Sequence, residues 1–210
     1  MKTSRILAGT AAIGLMATLV PMTASAAPTT EKKGSYTVAA RTVIRGDLIV
    51  RDGNLTINGK VTGNVRQTGN GTITVGRTGE VEGNVTETGS GSVIVVGEVD
   101  GKVTETGSGN VRVSGSIDRG ISEADHGGVI IRLSGEIDGS ITEKGEGGLR
   151  VYGEVDGSVT ERNSGNLTLH SAAEIDGSAR EYDAGNLLTY RGYDVDGSVV
   201  ESGSGSRVRR

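Results

Sequence analysis

Apolar residues recur along this chain with a fixed period from residue 61 onward. The phrase Val-Asp-Gly-x-Val, or a close variant of it, opens a new unit every 18 or 20 residues. We number the positions of each unit as slots, counting from the Val or Ile that opens it. Slot 1 is occupied by Val61, Val81, Val99, Ile117, Ile137, Val155, Ile175 and Val195. A period of this length predicts a stacked repeat rather than a domain with one globular core.

Within each unit the apolar slots alternate with polar ones. Slot 5 carries Val, Ile or Ala, and slots 13 and 15 carry Val, Ile or Leu in the first six units. Alternation of β-branched residues with polar ones is typical of strands. Glycine occupies slot 11 in every unit and slot 3 in all but one. We expect these glycines to supply the positive φ angles of sharp corners.

These features predict an all-β protein, a single-stranded β-solenoid (β-helix) of about nine coils of 18–20 residues. Units differ in length by two residues, which keeps the inward and outward faces of the strands unchanged. A degenerate first coil begins at Ile44. A right-handed coil is favoured because the apolar slots do not follow the six-residue period of left-handed hexapeptide solenoids.

The chain divides into four segments. Residues 1–26 have the pattern of a secretory signal peptide, with Lys2 and Arg5, an apolar middle and the small residues Ala24-Ser25-Ala26. Residues 27–43 are predicted to be an irregular lead-in, 44–203 the solenoid and 204–210 a flexible basic tail. No second apolar run is long enough to span a membrane, so we expect a secreted, extracellular protein that associates with the cell surface.

Composition narrows the range of functions. The chain has no cysteine, and therefore no disulfide framework. Its formal net charge is −4 and it contains neither Phe nor Trp. Nucleic-acid binding needs clustered basic and aromatic residues, so the composition argues against a nucleic-acid partner.

Two acidic columns are the candidate sites. Slot 2 holds Asp100, Asp118, Asp138, Asp156, Asp176 and Asp196, and slot 7 holds Glu87, Glu105, Glu123, Glu143, Glu161, Glu181 and Glu201. Stacked carboxylates repel each other unless something offsets their charge. One interpretation is a row of cation sites, with Ca²⁺ the natural ion for oxygen ligands and the slot 2 aspartates as its ligands. The favoured interpretation is structural, with carboxylates that accept hydrogen bonds from N–H groups at glycine corners and keep the rod soluble.

No enzyme is predicted, and no cofactor. Catalytic sites on solenoids interrupt the repeat with long loops, whereas no unit here carries such a loop. The two histidines, His126 and His170, occupy different slots of different coils and make a poor metal or catalytic pair.

The rhythm Gly-x-Val-x-Gly-x-Val, as in Gly97-Glu98-Val99-Asp100-Gly101-Lys102-Val103, resembles the bactofilin type of polymer-forming β-helix. The resemblance covers residues 44 to about 203. It implies compact triangular coils, nucleotide-free polymerisation through the solenoid ends and a scaffold role. The signal-peptide pattern of residues 1–26 is a departure from this family, whose members are mostly cytoplasmic. In its repetitive sequence the chain is also similar to adhesin-like solenoids of bacterial surfaces.

The expected function is that of a non-enzymatic structural or adhesive protein of the bacterial surface. Its expected partners are further copies of itself, bound end to end, or polymers of the cell envelope. A solenoid end exposes unpaired N–H and C=O groups that template another copy unless they are covered. The alternative is a cation- or glycan-binding protein that uses the acidic columns.

Overall fold

In the computed structural model, which describes residues 28–210, the chain winds through three parallel sheets that run the length of a rod. Every regular element in this range is a β-strand. Each complete coil contributes one strand to each sheet, and the third sheet has nine strands where the other two have ten. Each strand pairs with its equivalents in the neighbouring coils. The all-β solenoid predicted from the sequence is therefore confirmed.

Sheet A contains ten five-residue strands, of which the first two are built from slots 4 to 8 and the other eight from slots 5 to 9. They are β1 (Thr29–Lys33), β4 (Asp47–Arg51), β7 (Val65–Gly69), β10 (Val85–Gly89), β13 (Val103–Gly107), β16 (Ile121–Asp125), β19 (Ile141–Gly145), β22 (Val159–Asn163), β25 (Ala179–Asp183) and β28 (Val199–Gly203). It is the widest face of the rod.

Sheet B contains ten three-residue strands built from slots 13 to 15. They are β2 (Tyr36–Val38), β5 (Leu55–Ile57), β8 (Ile73–Val75), β11 (Val93–Val95), β14 (Val111–Val113), β17 (Val129–Ile131), β20 (Leu149–Val151), β23 (Leu167–Leu169), β26 (Leu187–Thr189) and β29 (Arg207–Arg209).

Sheet C contains nine two-residue strands that end at slot 1. They are β3 (Val43–Ile44), β6 (Lys60–Val61), β9 (Glu80–Val81), β12 (Glu98–Val99), β15 (Ser116–Ile117), β18 (Glu136–Ile137), β21 (Glu154–Val155), β24 (Glu174–Ile175) and β27 (Asp194–Val195). We call the coil of β1 to β3 the head end and the coil of β27 to β29 the tail end.

The solenoid is longer than predicted at both ends. Residues 27–43 were expected to be irregular, but Thr29–Lys33 pairs with β4 and Tyr36–Val38 pairs with β5. The expected flexible tail contains strand Arg207–Arg209, which pairs with β26. These end coils carry Lys or Arg in inward-facing slots, so their apolar pattern is lost although the backbone ladder continues. Ten coils at about 4.8 Å each make a rod about 45 Å long. The predicted signal peptide lies outside the described residues.

The core consists of aliphatic ladders. The side chains of slots 1, 5, 13 and 15 are buried throughout the range from Leu48 to Thr189. Each stacks on its counterpart one coil away, since every pair of neighbouring strands keeps the same slot opposite the same slot. Burial of each Val, Ile or Leu contributes about 1.5–3 kcal/mol before the entropy of ordering is subtracted.

The glycine corners differ in part from the expectation. Positive φ angles occur mainly at slot 9. Some coils have glycine there, such as Gly107, and others have Asp125, Asn163 or Asp183, residue types that tolerate this conformation. The slot 11 glycines, apart from Gly71, serve close approach instead. A Cβ at Gly109 would overlap the carbonyl oxygen of Gly91 in the coil before.

The two-residue insertions all lie between sheets B and C, where each closes a tight turn. In three of these turns a backbone N–H donates across the turn, from Gly79 to Gly76, from Gly135 to Arg132 and from Ala173 to His170, at 2.7–3.0 Å. Because the insertion is confined to one corner, the strands on either side keep their stacking. The parity argument drawn from the sequence therefore describes how the coils stay in register.

Candidate functional site: two acidic columns and the solenoid ends

The slot 2 aspartates lie at the surface, directly after the strands of sheet C. Asp118, Asp138, Asp156, Asp176 and Asp196 are exposed, and Asp100 is half-buried. Burial, followed by the charges of Asp118 and Glu80, raises the pKa of Asp100 above its ordinary value. Among residues 28–210 no three acidic or histidine side chains are grouped closely enough to hold a metal ion.

A second acidic row, which the sequence analysis missed, runs beside these aspartates. It occupies the position before slot 1 and contains Glu80, Glu98, Glu136, Glu154, Glu174 and Asp194. We call the two rows together the outer acidic face. Burial, then the charges of Glu136 and Asp156, raises the pKa of Glu154. This row was visible in the sequence as an acidic residue immediately before most slot 1 positions.

Lys60 neutralises the head-end part of the outer acidic face. Its Nζ atom lies 2.6 Å from Glu80 Oε1 and 2.5 Å from Glu82 Oε1. These hydrogen bonds raise the pKa of Lys60 above its ordinary value. A single lysine thus bridges both rows where they begin.

The slot 7 glutamates lie inside the rod, which corrects the expectation that they keep it soluble. Six of them have no exposed surface: Glu87, Glu105, Glu123, Glu143, Glu161 and Glu181. Glu201, in the last coil, is half-buried. We call these seven side chains the glutamate column. Slot 7 has the same parity as slot 5 in the strands of sheet A, so its side chains point into the core beside the slot 5 aliphatics.

The glutamates of the column face one another across successive coils. The strand register places Glu87 opposite Glu105 and Glu123 opposite Glu143. Neighbouring carboxyl groups are close enough to hydrogen-bond, as between Glu123 and Glu143 and between Glu161 and Glu181. A hydrogen bond between two carboxyl groups requires a proton on one of them.

Burial makes the neutral form the favoured one. Loss of contact with water, followed by the hydrogen bond to Glu143, raises the pKa of Glu123 to about 9. Burial likewise raises the pKa of Glu87, Glu143 and Glu161 to about 8. The pKa values of Glu105 and Glu181 are raised for the same reason. At neutral pH Glu87, Glu123, Glu143 and Glu161 are therefore predominantly neutral carboxylic acids.

Glycine N–H groups meet the column from the next corner of the coil. Gly91 N donates to Glu87 Oε1 at 3.3 Å, and Gly109 N donates to Glu105 Oε1 at 3.0 Å. Among the described residues, the carboxyl oxygens of Glu123 and Glu143 receive no such donor. The sequence analysis correctly expected hydrogen bonds from glycine corners, but these bonds lie in the core.

The residues at slot 7 near the head end support a neutral column. Gln67, which has the shape of a protonated glutamate and cannot ionise, is fully buried opposite Glu87. Its Nε2 group lies 3.4 Å from the carbonyls of Gly53 and Thr68. Both Gln67 Oε1 and Glu87 Oε2 lack a partner, and a proton on Glu87 would fill that gap. One coil earlier, slot 7 is the apolar Val50.

Aromatic rings form a short stack on the corner after sheet B. His170 lies between Tyr152 and Tyr190, with ring centroids 3.7 Å and 4.8 Å apart and nearly parallel planes. Burial, then the charge of Arg150, lowers the pKa of His170. A groove of about 670 Å³ runs alongside. His126 lies apart from the stack, with its Nε2 atom 3.7 Å from Glu146 Oε2.

The partly buried apolar side chains that pack against the core all lie at the two ends of the rod. They are Tyr36 and Ile44 at the head end and Tyr193, Val195 and Val199 at the tail end. In interior coils the equivalent slots are fully covered by the next coil. The ends are therefore incomplete core layers.

The comparisons with known proteins agree with this architecture. Residues 36–117, from β2 through β15, match the family model described as Bactofilin: Polymer-forming cytoskeletal. This part of the chain is bactofilin-like. The resemblance predicted from the sequence is thereby confirmed for these coils, and the coils beyond the bactofilin-like region repeat the same slots. No curated protein and no solved structure matches the chain.

Proposed function

We propose that this protein is a non-enzymatic structural element that assembles end to end into longer β-solenoid rods. The observation that carries the proposal is the incomplete core layer at each end, where apolar side chains are only partly buried. Stacking of another coil would bury them and would pair the free strand edges. The similarity of residues 36–117 to a polymer-forming family supports the same function.

A structural role also fits the location of the groups whose pKa values are shifted most. Strongly shifted pKa values often mark catalytic acids and bases. Here they belong to the glutamate column, whose carboxyl groups are enclosed in the core and out of reach of a substrate. Their environment stabilises a neutral ladder and offers no cleft for chemistry.

We place the assembly outside the cytoplasm, at the cell surface, with polymers of the envelope as further partners. The support is the signal-peptide pattern of residues 1–26, which lie outside the described part of the chain. No helix within residues 28–210 is long and apolar enough to cross a membrane. Fractionation of cells that express the full chain, or a variant in which Lys2 and Arg5 are replaced by Glu, tests this location. Retention of both proteins in the cytoplasm would refute it.

A second candidate function is cation binding along the outer acidic face. The observation that favours it is the alignment of two carboxylate rows on one side of the rod, with Lys60 as a counter-ion near the head end and no other ion pair to these rows within residues 28–210. Oxygen ligands suit Ca²⁺. Calorimetric titration of the full chain with CaCl₂ tests it, and no saturable heat in low salt would exclude it.

Self-assembly itself is tested by light scattering of the full chain over a concentration series, with electron microscopy of the same samples. We expect particle mass to grow with concentration, and filaments about as wide as one coil. Addition of Ca²⁺ should leave the growth unchanged, because the proposed contacts lie at the ends. A monodisperse monomer at every concentration would refute the proposal.

A further inference from the structure

We propose that the groove on the outer face of sheet B binds an uncharged, linear glycan chain that lies along the rod. The inference rests on the proposed function only for the source of the glycan, a polymer of the cell envelope, since the groove itself requires no assembly. Its volume of about 670 Å³ is typical of ligand-binding sites. Its lining comes from five consecutive coils, from Asn110 to Tyr190, so the groove is about 20 Å long.

The groove exists because the repeat departs from its usual residues at two slots. Slot 12 carries Asn, Ser or Thr in six units, but Gly128 and Gly148 occupy it in two successive ones. The missing side chains leave room above the backbone at these positions. Slot 16 carries Tyr152, His170 and Tyr190 in three successive units, whereas the others have Gly, Val, Ser or Arg. The two departures lie before and after the strands of sheet B, and both line the same groove.

The floor of the groove is amphipathic, as a sugar ring is. Slot 14 points outward from sheet B and supplies, in successive coils, Ile130, Arg150, Thr168 and Leu188. The two aliphatic side chains are half-buried, and Thr168 is only 6% exposed although it faces outward. Pyranose rings have apolar C–H faces and hydroxyl edges. A floor with aliphatic groups at both ends and hydrogen-bonding groups between them can contact both parts of a sugar.

Two asparagine amides at slot 12 are held in fixed orientations beside this floor. Asn110 Oδ1 accepts a hydrogen bond from Gly128 N at 3.1 Å, and Asn166 Oδ1 accepts one from Asn186 N at 2.8 Å. Because each oxygen is bound to the next coil, each amide NH₂ group has a defined direction in which it can donate to a hydroxyl. Donors that are ordered before binding reduce the entropy lost when a ligand binds.

The charges of the groove favour an uncharged ligand. Within residues 28–210 its lining contains one arginine, Arg150, and one carboxylate, Glu146. The rim also contains His126, whose Nε2 atom lies 3.7 Å from Glu146 Oε2. Burial, followed by the charge of Arg150, lowers the pKa of His170, so this ring is predominantly neutral at pH 7. The lining therefore lacks the excess of one charge that attracts a polyanion or a polycation.

The aromatic stack provides a platform for a sugar ring. His170 covers one face of Tyr152, with ring centroids 3.7 Å apart, so the opposite face of Tyr152 is the one left for a ligand. Tyr152 also lines a smaller pocket of about 390 Å³ together with Arg132 and Leu133. Leu133 is 72% exposed. A sugar that stacks its C–H face on Tyr152 would also cover this aliphatic side chain.

Calorimetric titration of the full chain with cellotetraose, chitotetraose and laminaritetraose tests the proposal. These three probes are linear, uncharged and about as long as the groove. Tetragalacturonate, a linear probe of similar length that carries carboxylates, tests for an anion site. Tyrosine fluorescence, in a chain without Trp, is a second readout that does not depend on heat. We expect saturable binding of at least one neutral probe, and binding of tetragalacturonate that is weaker by at least about tenfold.

Two variants restore ordinary residues of the repeat and should close the site while the rod stays intact. Gly148→Asn introduces the residue that slot 12 carries at Asn110, and Tyr152→Ser introduces the residue that slot 16 carries at Ser114. Each should weaken binding of the best neutral probe by at least about tenfold. Tyr182→Ser, on the outer face of sheet A, is the matched control and should bind as the unmodified chain does. Thermal melts establish that each variant is folded.

Absence of saturable binding of every neutral probe in both readouts would overturn the proposal. Binding that both groove variants retain would also overturn it, because the ligand would then lie elsewhere. Tighter binding of tetragalacturonate than of any neutral probe would replace the glycan with an anionic ligand at Arg150. Light scattering of the same samples reports assembly separately. A chain that assembles but binds no probe refutes the groove alone, whereas a monomer that binds a probe refutes the proposed assembly alone.

Discussion

The glutamate column and the outer acidic face contain the same chemical group in opposite environments. Glu143 and Asp138 are five residues apart in one coil, yet the first has no exposed surface and the second faces water. The pKa of Glu143 is raised to about 8 by burial. A row of acidic residues in a solenoid therefore says little about charge until the direction of each side chain is known.

The direction follows from strand parity. Glu143 lies two residues after Ile141 in the same strand, so both point into the core. Asp138 follows Ile137 at the corner where sheet C ends, so it points outward. The formal net charge of −4 counts both residues as ionised. With the column protonated, the negative charge of the rod is concentrated on the outer acidic face.

The largest expected effect is a loss of folding stability at alkaline pH, caused by the glutamate column. The raised pKa of the six fully buried column glutamates means that the folded chain holds protons that the unfolded chain releases near pH 4.5. This contribution is fully present at acidic pH. Stability should fall as pH rises above about 4.5 and should level off above pH 8–9, where the folded column has itself ionised. We expect Tm to drop by at least about 10 °C between pH 7 and pH 10.

Circular dichroism melts at a series of pH values measure this drop. A Tm that is constant from pH 6 to pH 10 would show that the column does not hold its protons.

Removal of one column carboxyl should have the next largest effect. Glu143→Ala leaves a cavity and deprives Glu123 and Glu161 of a hydrogen-bonding neighbour. We expect a loss of about 2–4 kcal/mol in the free energy of unfolding at pH 7. Thr142→Ala, on the outer face of the same strand, is the matched control and should cost less than about 1 kcal/mol. Equal losses in the two variants, measured by urea unfolding, would contradict a structural role for the column.

Substitution of glutamate by the isosteric glutamine should separate the effect of side-chain shape on stability from the effect of protonation. The double variant Glu123→Gln and Glu143→Gln imitates the natural Gln67 and should keep stability at pH 7 within about 1 kcal/mol. It removes two of the six buried titrating groups. The alkaline drop in Tm should shrink by about a third, as measured in the same pH series. An undiminished drop would assign the pH response to other groups.

The repeat made most of the fold predictable. A fixed period, β-branched alternation and even-numbered insertions suffice for a stacked β-coil, because each constrains the direction of side chains. What the pattern could not show was the end coils. Lys32, Arg207 and Arg209 occupy core slots there, although the backbone ladder continues through their strands.

The burial of the glutamate column was missed for a different reason. Ionised glutamate is so rarely buried that residue type outweighed parity in the interpretation of slot 7. Two residues carried the correct signal: Val50 and Gln67 occupy the same slot in earlier coils, and neither needs contact with water. The alternation of inward and outward side chains in a strand applies to the carboxyl groups of slot 7 as it does to the valines of slot 5.

The smallest effect is expected on the outer acidic face. Asp138→Asn together with Asp156→Asn should change the free energy of unfolding by no more than about 0.5 kcal/mol per site, because both side chains are exposed. The alkaline drop in Tm should persist unchanged in this variant, in contrast to the double glutamine variant of the column. Melts with and without CaCl₂ extend the test to the cation hypothesis. A calcium-dependent rise in Tm that the asparagine variant loses would identify these two aspartates as Ca²⁺ ligands. Equal Tm responses in the two proteins would instead identify Asp138 and Asp156 as solvated surface carboxylates, in contrast to the protonated glutamates of the core.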